Sequence, residues 1–359
     1  MTMAENDGAV PYIYRHKWPI AVAVLIILTL AIVVYFAMPL LDGIIFGIFF
    51  AYVTRPVKSF LSKYTRFAPL IATSCIVLPV LAIFLLTAIE IKNQAVWLST
   101  HQAEAIAQFN ATLASLNLPA VVMTQINDMI PNITSYVITF VSAIPVGATF
   151  TSILLFATNA LVSIFVCYYL LKDGNIVTRI AGQLTPDRFM PAVNYFVTEA
   201  DRILSGIYTG TFYTALFVAM MSAVIFFIFG IPQLILLTAF VFIAAMVPIL
   251  SGMMVFIPLA VYLYIDRSPL IAVIFFVSSL VLVYVPPDFI LRPYLINRAS
   301  NIHPLLIILS FVGGGLAGGI SGFFAAPLVV GLLVAVYRTY VKLGEKGNES
   351  LPAEPAGPQ

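Results

Sequence analysis

A chain of 359 residues in which 62% of side chains are apolar and only 9% charged cannot cover a water-soluble surface. Its mean hydropathy of +1.06 marks an integral membrane protein with the lipid bilayer as its solvent. The net charge of +2 gives no basic field for a nucleic-acid partner.

Residues 1–19 read as an N-terminal cytoplasmic segment, ending in Arg15, His16 and Lys17. The apolar run Ile20–Met38 would span ~28 Å as a helix, longer than the core of a cleaved leader, and reads as a retained first span. Further spans follow at 40–54, 70–89, 146–171, 204–229 and 269–287. The second carries Gly43-x-x-x-Gly47, a spacing that suits either close helix approach or an ordinary run of small residues. Cys75 and Cys167 fall inside apolar runs as small hydrophobes, with no disulfide or metal-binding spacing.

Two apolar blocks differ from ordinary spans. Residues 203–265 hold no charge, and Pro232, Pro248, Gly252 and Pro258 divide them. The pattern predicts a span at 204–229, then a short helical pair, 233–249 and 252–265, around Pro248-Ile249-Leu250-Ser251-Gly252. The second block, 304–337, also lacks charge and holds a glycine cluster at Gly313, Gly314, Gly315, Gly318, Gly319 and Gly322. It is too long for one span of ~20 residues and barely enough for two. Each glycine weakens a helix by ~1 kcal/mol, and broken helices survive in lipid only when buried in protein or lining a polar cavity.

The predicted fold is therefore all-α and polytopic, with about eight membrane segments including two broken or re-entrant hairpins. With a cytoplasmic N-terminus and both hairpins returning to their own side, 15 of 17 basic residues face the cytoplasm, leaving Lys92 and Arg267 outside. The membrane domain covers 20–343, with an extracytoplasmic helical insert at 90–145 and a disordered tail at 344–359. In the insert, Ile106, Phe109, Leu113 and Leu116 recur at helical spacing, as do Val122, Ile126, Met129 and Ile133 after Pro119. These faces suit the membrane surface, a homo-oligomer contact or a cap on the same subunit.

No catalytic constellation is present, no cofactor is implied, and His16, His101 and His303 are too scattered to bind a metal. No phosphate-binding glycine loop precedes a Lys-Ser or Lys-Thr pair, so uphill transport would draw on an ion gradient or a partner. Asp288 follows Pro286-Pro287 at the end of a span, and in a helix it shares a face with Arg292, which suits either an interfacial ion pair or an ion-pathway acid. Asp201 and Arg202 open the fifth span as a helix-end anchor or a gate. Ser251, Ser310 and Ser321 are the hydroxyls nearest the predicted breaks, where freed backbone groups suit a small polar solute or a monovalent cation.

The run Asp288-Phe-Ile-Leu-Arg-Pro-Tyr-Leu-Ile-Asn-Arg, His303-Pro-Leu-Leu-Ile-Ile-Leu-Ser, the glycine cluster and Ala326-Pro327-Leu328 together resemble the AI-2E family of permeases. Asp201-Arg-Ile-Leu-Ser-Gly-Ile-Tyr-Thr-Gly and Phe229-Gly-Ile-Pro are similar to it as well. Thr211 stands where the family often has glutamine, and the Pro248–Gly252 interval is one residue longer than usual. The resemblance implies a multi-span transporter of about eight membrane segments. A plasma-membrane location is expected, and the missing catalytic constellation reads against an enzyme. Some relatives export autoinducer-2, and others exchange sodium or lithium for protons.

The deepest apolar blocks contain no carboxylate, which favours gradient-driven export of a small polar solute, while Asp288 keeps a sodium/proton antiporter open. A non-transporting scaffold is the third reading, opposed by the glycine-weakened helices.

Overall fold

The computed structural model describes residues 17–101, 104, 107, 111, 150–174, 176–246, 253–287 and 302–349. Every regular element among them is helical. Helix α1 (Lys17–Ala37) passes through a 3-10 turn (Met38–Leu40) into α2 (Leu41–Leu61), and α3 (Ala68–Thr100) follows. Next come α4 (Phe150–Lys172), α5 (Ile176–Leu184) and the long α6 (Met190–Ile228). Helices α7 (Leu234–Met246), α8 (Met253–Asp266) and α9 (Pro269–Ser279, continued by a π turn, Leu280–Tyr284) precede α10 (Pro304–Glu349).

Five stretches are long and apolar enough to cross a membrane: Val24–Leu61, Ala68–Gln94, Leu154–Lys172, Asp187–Ile228 and Leu305–Leu343. This is a multi-pass membrane protein. Helices α7 and α8, with 13 and 14 residues, reach only ~20 Å, short of a ~30 Å hydrocarbon layer.

The joint between α1 and α2 differs from the sequence expectation of two separate spans, 20–38 and 40–54. Ala37, Leu40 and Leu41 all keep right-handed helical dihedrals, so the chain bends without turning back. Asn159 of α4 inserts at this point. Its Nδ2 donates to the Pro39 carbonyl at 2.9 Å, and its Oδ1 accepts from the Gly43 N–H at 2.8 Å. Those two backbone groups are the ones an uninterrupted helix would pair with each other.

Gly43 and Gly47 sit where α2 meets α4. A Cβ at Gly43 would strike the Asn159 carbonyl and Val162, and one at Gly47 would strike Val166 and the Ser163 carbonyl. The contacts advance in step along both chains, so α2 and α4 run parallel. Close approach is the role this glycine pair performs.

Helix α6 is the axis of the bundle. Its buried Tyr208 and Phe212 pack with Phe49 of α2 and Phe324 of α10, with the Phe49 and Phe324 ring centroids 4.6 Å apart. Nearer its C-terminal end, Phe226 packs with Phe256 of α8 and Phe275 of α9. At its far end α10 extends to Glu349. Gly47→Leu is expected to destabilise the α2–α4 contact by about 1–3 kcal/mol, since a backbone carbonyl must move to admit it. A lowered melting temperature in detergent micelles, with Gly174→Ala as the mild control, checks this.

Candidate functional site

The glycine-rich block folds back on itself. Within α10, Gly318 (φ −135, ψ 20) and Gly319 (φ 59, ψ −143) leave the helical region, and the latter combination is open essentially to glycine alone. Arms 304–317 and 320–349 then lie side by side. The rings of Phe311 and Phe323 are 4.6 Å apart, and a Cβ on Gly314 would strike the Gly322 carbonyl and the Ala326 side chain. In a continuous helix, residues 314 and 322 would be ~12 Å apart.

The predicted glycines thus divide by task. Gly314 and Gly322 allow backbone contact between the arms, Gly315 faces Phe323, and Gly318 and Gly319 make the turn. Gly313, Gly318 and Gly319 face open space, and the tip carries exposed Leu316 and Ile320. Ser310 is buried and donates to the Ile307 carbonyl of its own helix at 2.7 Å, while Ser321 is half-buried two residues past the turn.

Two tyrosines of α6 hold the neighbouring segments. Pro327 lacks the N–H that would pair with the Phe323 carbonyl and loosens that turn, and Tyr208 Oη donates to the Phe324 carbonyl at 2.8 Å. The same arrangement recurs on α2. There Pro56 lies inside the helix and Tyr213 Oη donates to the Val53 carbonyl at 3.0 Å. In both cases the accepting carbonyl lies three residues before the proline. One and two helical turns beyond Tyr208, the buried Thr211 and Thr214 hydroxyls have no partner among the described residues.

Below these contacts is an ionic end. The Glu199 side chain, 8% exposed, accepts from Arg202 at 2.8 Å and from Arg338 of the second arm, all on one carboxylate oxygen. Asp201 instead pairs with Arg55 of α2 at 2.7 Å, because adjacent residues on a helix point ~100° apart. Asp201 and Arg202, expected as a helix-end anchor or a gate, thus make separate contacts: Asp201 reaches α2, and Arg202 pairs within α6 on the carboxylate that also meets Arg338 of α10. The Lys342 ammonium lies 4.0 Å from the centroid of the Tyr195 ring. With Gly331 against Ile203 and Leu204, these contacts run the second arm antiparallel to α6.

The other block has its own geometry. Arg267, just past α8, donates to the Phe229 carbonyl at 2.6 Å and the Gly230 carbonyl at 3.2 Å. The chain therefore leaves α6 and returns from α8 at one place, ~40 Å along α6 from the ionic end. Pro248, Ser251, Gly252, Asp288 and Arg292, all expected in the ion or solute pathway, lie outside the described residues.

Sequence reasoning missed Glu199, Arg55, Arg338 and Tyr208. The i, i+3 spacing of Glu199 and Arg202 was readable as a pair, and Arg338 is the first charge after the second apolar block. Their convergence across α2, α6 and α10 was not.

The profile of the AI-2E family transporter matches residues 24–342. The chain belongs to the AI-2E transporter family. An Archaeoglobus fulgidus protein named provisionally as a transport protein is 34% identical over 333 residues, covering 90% of this chain and 95% of its own. A Methanocaldococcus jannaschii protein, also named provisionally as a transport protein, is 26% identical, covering 86% of this chain and 92% of its own. A Methanothermobacter thermautotrophicus protein of the same provisional name is 28% identical, with 91% and 94% covered. No solved structure matches. The matched span includes the terminal hairpin and the whole ionic end.

In this AI-2E family transporter, Gly319→Ala is expected to cost about 1–3 kcal/mol through backbone strain, whereas Gly313→Ala in open helix is tolerated. Parallel thermal unfolding of the two variants checks the turn. Glu199→Gln should cost about 1–3 kcal/mol, below the value for a fully buried pair because Arg202 is half exposed to screening. If Arg338→Gln costs as much and the double variant little more than either alone, a double-mutant cycle confirms the pairing.

Proposed function

We propose that the protein is a secondary transporter of the plasma membrane that uses an ion gradient to export a small polar solute of the autoinducer-2 type. One observation carries the reading: a glycine-broken helical hairpin is held against α6, the helix that also carries the unpartnered, buried hydroxyls of Thr211 and Thr214. In a membrane-spanning segment, such hydroxyls and the peptide groups freed at a break suit a solute rich in hydroxyl and carbonyl groups.

Both broken blocks are read as re-entrant. The first arm of α10 is about 21 Å long, less than a full crossing. Arg267 ties together the two ends of the 231–266 block, which fits a return to its side of departure. The basic end, with Arg55, Lys58, Arg202, Arg338 and Lys342, is taken as cytoplasmic by the positive-inside rule, and the foot of α10 lies there. Helix α1 leads away from that end, so this geometry does not support a cytoplasmic N-terminus.

Among the described carboxylates, the buried Glu199 is already neutralised by two guanidinium groups. That favours solute export over cation exchange at this site. Asp288 is the acid on which an antiporter would rely.

In proteoliposomes loaded with labelled autoinducer-2, imposed ion gradients should drive efflux. Gly314→Leu should abolish it by forcing the arms apart, and Thr211→Val should slow it. Unchanged efflux in Gly314→Leu would refute the hairpin as the transport element. Sodium-dependent collapse of a pH gradient, lost in Asp288→Asn, would establish the antiporter instead.

A further inference from the structure

Beyond transport, we propose that the chain carries a specific binding site for one anionic phospholipid, its acyl tail in the groove between α3, α6 and α7 and its headgroup on the α2–α3 corner. The groove has a volume of about 600 Å³ and runs from Val57 and Tyr213 at one end to Ile83, Ala223 and Ile235 at the other. Along α6 this is ~15 Å, a length suited to much of an acyl tail. Its polar side chains are limited to Cys75, Tyr213 and Thr238, and the Tyr213 hydroxyl is engaged with the Val53 carbonyl.

Such a lining repels a polar solute, so this groove is distinct from the hydroxyl-bearing hairpin site. Its α3 wall comes from the middle of the apolar stretch Ala68–Gln94 and its α6 wall from the C-terminal half of Asp187–Ile228, so it opens onto hydrocarbon. Lipid tails are the material available at that depth.

Charge selects the headgroup. The Val57 end lies next to the corner where α2 ends and α3 begins, and that corner carries Lys58, Lys63 and Arg66. Among the described residues, none of the three has a carboxylate partner, whereas Arg55 is occupied by Asp201. No acidic residue occurs between Asp42 and Glu90. Phe60, Tyr64 and Phe67 are exposed around the same cations, the aromatic and basic mixture that settles at headgroup level. Cations placed there favour anionic over zwitterionic lipid.

The test uses full-length protein and native mass spectrometry with dioleoyl phosphatidylglycerol or dioleoyl phosphatidylcholine as probes. One retained phosphatidylglycerol is expected, with phosphatidylcholine bound about tenfold more weakly. Lys58→Gln/Lys63→Gln/Arg66→Gln should remove that preference, and Ala223→Phe or Ala239→Phe should each displace the lipid by filling the groove. Lys63 and Arg66 are exposed and Lys58 is half-buried, outside the buried core, so the first variant tests the site without removing a core side chain. Equal retention of both lipids by the parent protein would overturn the proposal, as would a preference that survives loss of the cations. Loss of binding on removing charge with no effect of either groove-filling variant would show a headgroup contact without a seated tail, and would overturn it too.

Discussion

A proline inside a membrane helix leaves a carbonyl without its donor and pushes the adjoining turn open, in a solvent that offers no hydrogen bonds. Such prolines, Pro56 and Pro327, lie inside the two helices on which α6 depends. Tyr213 and Tyr208 donate to the carbonyls one residue past those the prolines deprive, at Val53 and Phe324. The two tyrosines lie on one helix, so a backbone defect in each neighbour becomes a fixed point of attachment to the same axis. The Phe49–Tyr208–Phe324 ring cluster then closes around the second of these points.

Attachment at Phe324 leaves the rest of the hairpin to the glycines. Gly314 and Gly322 bring the arms to backbone contact, and the Gly318–Gly319 turn projects beyond the cluster. Toward the other end, the second arm is held by Arg338 on Glu199 and by Lys342 over Tyr195. The hairpin is thus fixed at its foot and middle and free at its tip.

The joint at Met38–Leu40 shows the same economy with a different side chain. An asparagine amide has one donor end and one acceptor end, so Asn159 can stand in for the missing peptide pairing between Pro39 and Gly43. It also locks α4 to α2 beside the close contacts at Gly43 and Gly47. A hydrophobic pattern cannot register this insertion, because the residues on both sides of the joint remain apolar.

Composition by itself determined the solvent: so few charges over so long a chain require lipid, and lipid requires helices. The sequence also marked the glycine cluster in which the last block breaks, since glycine content is a local backbone property that needs no partner to be read, but only the structure picks Gly318 and Gly319 as the turn. Tertiary structure alone decided which carboxylate is buried, which tyrosine meets which carbonyl, and whether α1 turns back on α2. Those outcomes depend on residues more than a hundred positions apart, such as Glu199 with Arg338 or Gly43 with Asn159. Spacing along one helix gives the face a residue occupies, but only packing supplies the group that waits there.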